Sequence, residues 1–230
     1  MGRLSPPVRG ALVGTVVGAL LAAIVGTDRA VPQARTGPVV IAAFLADWRH
    51  QLEGTYVAVM RFDRTTSAGG RFTSTETVAQ RPPDTFTTSS GSIEARRGDR
   101  RLACGQGQSG RLDCRDAGAL PPYQAVVDQR VADVATYFSG AAAVYFVNRD
   151  GPHCYRLLQG VPVKAVLDLP FGSDTRYCFD PVTGAVRSRR TVRAGAVDSE
   201  VALAIKSFVT DADLAPPSGT AGAEIFAASP

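Results

Sequence analysis

Any chemistry in this chain has to come from a short set of side chains: Cys104, Cys114, Cys154 and Cys178, the two histidines His50 and His153, and two groups of arginines. An even number of cysteines in a chain with an export-type N-terminus reads as two disulfides. No C-x-x-C spacing occurs, and two separated histidines do not complete a zinc set. Catalysis needs a nucleophile beside a base, paired carboxylates or a metal. The sequence holds no G-x-S-x-G, phosphate-loop or H-E-x-x-H pattern. His50 falls off the apolar stripe of its helix, His153 adjoins Cys154 in a hairpin, and the acidic residues are scattered through turns. The chain therefore reads as a binding module with no catalytic residue, no metal and no cofactor.

The arginines admit two uses. Arg96, Arg97, Arg100 and Arg101 surround one hairpin tip, and Arg187, Arg189, Arg190 and Arg193 sit on a late strand, where 187, 189 and 193 share a face assigned to solvent. Such groups either solvate a face and protect a sheet edge or meet anionic lipid headgroups or an acidic partner. No aromatic residues interleave with them as a nucleic-acid platform requires, so nucleic acid is not an expected partner. Arg130 interrupts the apolar stripe of a helix. It either snorkels at the border of that stripe or meets a ligand carboxylate or headgroup at a cavity mouth.

The disulfides need an oxidising compartment, and the N-terminus supplies the route. Arg3 and Arg9 precede an uncharged run from Gly10 to Gly26, about 17 residues, the lower limit for a spanning helix. Thr27-Asp28-Arg29-Ala30 is a poor cleavage site, and no cysteine follows to carry a lipid. Residues 1–27 read as a signal anchor: one transmembrane helix in the cell membrane with the body extracytoplasmic. A cleaved signal and a secreted domain is the alternative. Residues 28–37 form a linker. Of 230 residues, 45% are hydrophobic, enough for one domain, placed at 38–216. Residues 217–230, rich in Ala, Gly, Ser and Pro, read as a flexible tail. The net charge of +4 is too mild to demand an anionic partner.

The positioning elements follow from periodicity. Val40, Ile41, Phe44, Leu45, Trp48 and Leu52 mark one helix face, ended by Gly54. From Tyr56 the period becomes two, and turns at 65–70, 81–84 and Gly98-Asp99 predict an antiparallel meander. Cys104 opposite Cys114 leaves Gln108-Ser109-Gly110 as a three-residue loop with glycine last, so these two pair across strands, and Cys154 pairs with Cys178 by elimination. Pro121-Pro122 open a second helix with Tyr123, Val126, Val127, Val131, Val134 and Phe138 on one face. Strands return around Asp150-Gly151 and the turn Asp180-Pro181-Val182-Thr183-Gly184. An α+β fold follows, with two helices covering one sheet.

A helix feeding "GTYVAVMRFDRT", then "QRPPDTF", a meander, a helix and "FDPVTG" resembles the LolA/LolB/RseB-like cell-envelope lipoprotein-carrier family, in an actinobacterial-type, membrane-anchored form. The resemblance covers roughly residues 39–216. It departs in lacking a lipid-bearing cysteine and in having these four cysteines. It implies a curved antiparallel half-barrel around the helices, and an apolar cavity binding or transferring lipid or lipoprotein acyl chains. Tyr56, Met60, Phe62, Phe72, Val78, Phe86, Ile93, Val144 and Phe146 are expected to face inward, with Arg130 at the mouth. The RseB branch implies an alternative: a sensor or regulatory module that binds another envelope protein.

Overall fold

The computed structural model describes residues 37–89, 92–107, 112–139, 143–160, 169–217 and 219–226. The expected transmembrane helix, most of the linker and the Gln108–Gly110 loop lie outside the described residues. Among those described, no helix is long and apolar enough to cross a membrane.

Helix α1 spans Pro38–Glu53 and α2 spans Tyr123–Thr136. Proline opens α1 where its missing N–H would have had no partner anyway, and Phe44 and Leu52 are its buried residues. Val127 and Val134 are those of α2. The strands are β1 (Tyr56–Thr66), β2 (Arg71–Arg81), β3 (Asp84–Ser89), β4 (Ser92–Arg97), β5 (Arg100–Gln106), β6 (Leu112–Ala119), β7 (Tyr145–Arg149), β8 (Cys154–Gln159), β9 (Asp174–Phe179), β10 (Val186–Arg193) and β11 (Ala196–Lys206). They form one open 11-stranded sheet in the order β6-β5-β4-β3-β2-β1-β11-β10-β9-β8-β7. Neighbours that follow one another in sequence pair antiparallel, as their short connections dictate. The exception to sequence order is the middle of the sheet, where β1 lies beside β11.

Alternation along each strand divides the sheet into two faces. On the helix side of β7–β9, Phe44 and Trp48 of α1 pack with Phe138, Tyr145, Tyr155, Phe171, Tyr177 and Phe179 into an aromatic core. Phe44 has ring neighbours at 5.3–6.5 Å, mostly edge-to-face, the arrangement that ring quadrupoles favour. On the opposite side of β1–β6 a second core holds Val57, Ala79, Phe86, Ile93, Ala95, Leu102, Cys104 and Cys114.

That second core is roofed by the C-terminal segment, so 219–226, within the stretch read as a flexible tail, is held against the sheet. Leu214 and Phe226, 0% and 3% exposed, are buried in it. They sit on 3-10 turns at Asp211–Leu214 and Ala223–Phe226. The Cys114 N–H donates to the Ala221 carbonyl and the Ala221 N–H to the Leu112 carbonyl, so this segment also pairs with part of edge strand β6.

Both disulfides form as expected, Cys104–Cys114 and Cys154–Cys178, with Cα separations of 4.0 and 4.1 Å. Each links residues directly opposed in an antiparallel pair.

Candidate functional site

The two sequence motifs place the end of α1 over the middle of the sheet. In "QRPPDTF", the Gln80 amide lies 2.8–2.9 Å from the carbonyl oxygens of Gln51, Leu52 and Gly54, so this buried side chain shares the open C-terminus of α1 with the Tyr56 and Tyr123 hydroxyls and the Gly54 N–H. Asp84 accepts from the Gly98 N–H and pairs with Arg97. Phe86 enters the second core. In "FDPVTG", Asp180 accepts from the N–H groups of Val182 and Thr183 and from the Thr183 hydroxyl, an Asx turn. Gly184 follows at φ +76, where a Cβ would lie 2.6 Å from the His50 carbonyl carbon. Only glycine lets this turn press against the helix end. A further tie reaches α1 from β8: the His153 Nδ1 lies 3.0 Å from Asp47 Oδ1, and the Tyr155 hydroxyl donates to Asp47 Oδ2 at 2.7 Å. Burial, with the Asp47 carboxylate beside it, pushes the Tyr155 phenol up to about 12. His153 thus ties the start of β8 to α1.

Beside the end of α1, on the helix side of β2, β1, β11 and β10, lies a cavity of about 230 Å³. Tyr56, Ala58, Met60, Phe62, Val78 and Val186 supply its apolar wall, and Gln51, Glu76, Arg189 and Glu200 its polar one. Among the described residues that line it, only Gln51 comes from a helix. Ala58, Ala185 and Ala202 keep the central cluster shallow, leaving room above the strands. Tyr56 is 3% exposed, and burial pushes its phenol up to about 12. A larger groove of about 520 Å³ adjoins, sharing Gln51, Tyr56 and Val78. Leu120, Tyr123, Val126 and Arg130 border it on the α2 side, and Gln80, Thr85, Thr87, Glu94, Arg96 and Arg101 form its floor.

The expected inward set therefore splits. Tyr56, Met60, Phe62 and Val78 come together around the central cavity, and Arg130 stands exposed at the border of the adjoining groove. Phe72 lies on the same face but at its outer end, 54% exposed and 6.1 Å from the Phe62 ring. Phe86 and Ile93 are on the other face, under the C-terminal segment. Val144 packs against the aromatic core. Phe146 alternates to the outer face of β7, its ring filling the space beside Gly160. The helix-side rows of β3–β5 are polar: Gln80, Thr85, Arg96 and Arg101 stand in register, as do Val78, Thr87 and Glu94.

The arginine groups also resolve. Arg96 is 7% exposed, donates to the carbonyls of Gly98 and Pro121, and lies over the Tyr123 ring. Arg97 pairs with Asp84, Arg100 with Asp116 and Arg101 with Glu94. Arg189 is not on a solvent face: it reaches the cavity, pairs with Glu200 and donates to the Tyr177 hydroxyl at 3.1 Å. The expected sharing of a face by 187 and 189 fails because a bulge between Val186 and Ser188 shifts the register. Glu76 and Glu200 are the residues sequence reasoning missed. Each stands at an alternate position on a strand, and the register Met60 to Glu76 and Phe62 to Glu200 is what turns them toward the cavity.

No protein-family model matches the chain, and no curated protein matches it. Among solved structures, the crystal structure of MucB is similar with a TM-score of 0.44 at 10% identity, over 80% of this chain and 65% of that one. This chain thus spans less than two thirds of MucB. LprF from Mycobacterium bovis is similar with a TM-score of 0.38 at 10% identity, over 81% of this chain and 100% of that one. A LolA superfamily protein from Nitrosomonas europaea gives 0.33 at 6% identity, over 76% and 97%.

Proposed function

We propose that this is an extracytoplasmic, membrane-anchored binding protein that holds one lipid or lipoprotein acyl chain in the cleft of a curved half-barrel and carries out no catalysis. The observation that carries this reading is the central cavity. It opens where the helices stop covering the sheet, and its apolar wall of Tyr56, Ala58, Met60, Phe62, Val78 and Val186 ends at Tyr56 and Val78, where the polar-floored groove beside α2 begins. Burying about six methylenes there yields roughly 5 kcal/mol before association costs, enough for reversible holding and release.

The test is native mass spectrometry of the oxidised full chain in a nonionic detergent, titrated with 1-dodecanoylglycerol, whose headgroup is uncharged. One bound molecule per chain is expected. Ala58→Phe, which fills the cavity, should weaken binding at least about tenfold while the thermal midpoint moves by only a few degrees. Val78→Phe serves as the second variant should Ala58→Phe not fold. Unchanged binding in a folded filled variant removes this reading.

A protein-docking module is the second reading. It is favoured by Val201, Leu203 and Phe208, which are 40%, 56% and 62% exposed on and just after β11. Failure of 1-dodecanoylglycerol to bind, with capture of a defined envelope protein lost on Leu203→Glu, would establish it instead.

A further inference from the structure

We propose that the polar end of the central cavity selects a cationic, hydrogen-bond-donating headgroup, a primary amine, over a carboxylate or phosphate. This rests on the cavity being the ligand site. Three charged side chains line it, one on each of three strands: Glu76 of β2, Glu200 of β11 and Arg189 of β10. The guanidinium is already engaged. It pairs with Glu200, donates to the Tyr177 hydroxyl and lies 5.7 Å from the Tyr177 ring centre. Glu76 is half-buried, stands opposite Met60 in the register, and makes no hydrogen bond or ion pair among the described residues. Among the described residues, two carboxylates stand against one guanidinium, and the negative charge left over is held on Glu76.

The chemistry of the entering group follows from that balance. A carboxylate or phosphate would meet a like charge in a partly dehydrated site and would have to compete with Glu200 for Arg189. An ammonium brings three donors to an acceptor that has none, and its hydrogen bond to Glu76 would be charge-assisted. Burial, and the nearby Glu200, hold the Glu76 carboxyl above its ordinary range, more than the Arg189 guanidinium draws it down. Its tail would run from Met60 past Ala58 and Val78 toward Tyr56, away from the charged end.

The experiment uses three probes of one chain length on the oxidised full chain in nonionic detergent at neutral pH: dodecylamine, dodecanoate and 1-dodecanoylglycerol. Native mass spectrometry reads their relative affinities for the parent chain and for Glu76→Gln, whose fold is checked by circular dichroism. Dodecylamine is expected to bind roughly tenfold or more tightly than dodecanoate, the worth of one hydrogen bond to a charged group. Glu76→Gln should close that gap to about threefold or less. Equal or tighter binding of dodecanoate to the parent chain overturns the selectivity while leaving the cavity as the ligand site. So does a gap that survives in Glu76→Gln. If 1-dodecanoylglycerol fails to bind as well, the cavity reading itself is lost, and the selectivity with it.

Discussion

At the scale of single residues, polar side chains govern where the helix layer stops. Gln80 closes the C-terminus of α1 by donating toward three carbonyls at once. Gln80→Ala leaves the buried Gly54 carbonyl without its donor and the Gln51 and Leu52 carbonyls with only the Tyr56 and Tyr123 hydroxyls, at about 1–3 kcal/mol. Urea unfolding should show a lower midpoint with an unchanged slope; a midpoint equal to that of the parent chain would mean water replaces the amide at no cost. The sequence showed Gln80 only as one letter of a turn-rich motif. Its role is non-local: Gln80 sits on β2, and what it caps is a helix whose capping residue, Gly54, lies 26 residues before it. Glycine at 184 was legible as a turn residue, yet its second duty, making room for His50, was not, because that needs the partner's position. The cysteines were the most legible residues. Strand register alone opposes Cys104 to Cys114, and the same geometry recurs at Cys154 and Cys178.

At the scale of elements, the two disulfides pin different hairpins. Cys104–Cys114 spans 10 residues and staples β5 to β6 at one sheet edge, whereas Cys154–Cys178 spans 24 and staples β8 to β9 beneath the aromatic core. Chain-entropy reasoning gives the longer closure about 3 kcal/mol and the shorter slightly less. The pair Cys154→Ala with Cys178→Ala should therefore lower stability more than the pair at 104 and 114, as denaturant titration will report; the reverse order would locate the stabilisation in contacts, not in closure. Helices and strands were legible because their periods of 3.6 and 2 are local. Which face of β3 and β4 turns to the helices was not. Phe86 and Ile93 alternate properly, but alternation fixes only that they share a side. The segment that roofs them has just two buried apolar anchors, Leu214 and Phe226, set among Ala, Gly, Ser and Pro, and so it carries no periodic signal.

At the scale of the whole molecule, the C-terminal roof is the part most exposed to acid. Hydrogen bonds from Lys206 and from the Thr210 backbone and hydroxyl lower the Asp213 carboxyl to about 2. A carboxyl whose folded value is depressed stabilises fully above its unfolded value near 3.8, and that contribution is lost as pH falls toward 2. Hydrogen exchange between about pH 4 and pH 2 should show 211–226 opening before the aromatic core does. Asp213→Asn should open the same segment at neutral pH. Simultaneous opening of both regions would instead make the molecule a single cooperative unit.

The strand order sets one further demand, on biogenesis. Val57 pairs with Lys206, so the middle of the sheet joins the first strand of the domain to its last. A chain emerging N-terminus first presents β1 with one flank unpaired until almost everything else has arrived. Contacts so distant in sequence form slowly, and a waiting edge invites aggregation. Synthesis of nearly the whole domain must therefore finish before folding can, and a holding chaperone is the natural way to bridge that interval.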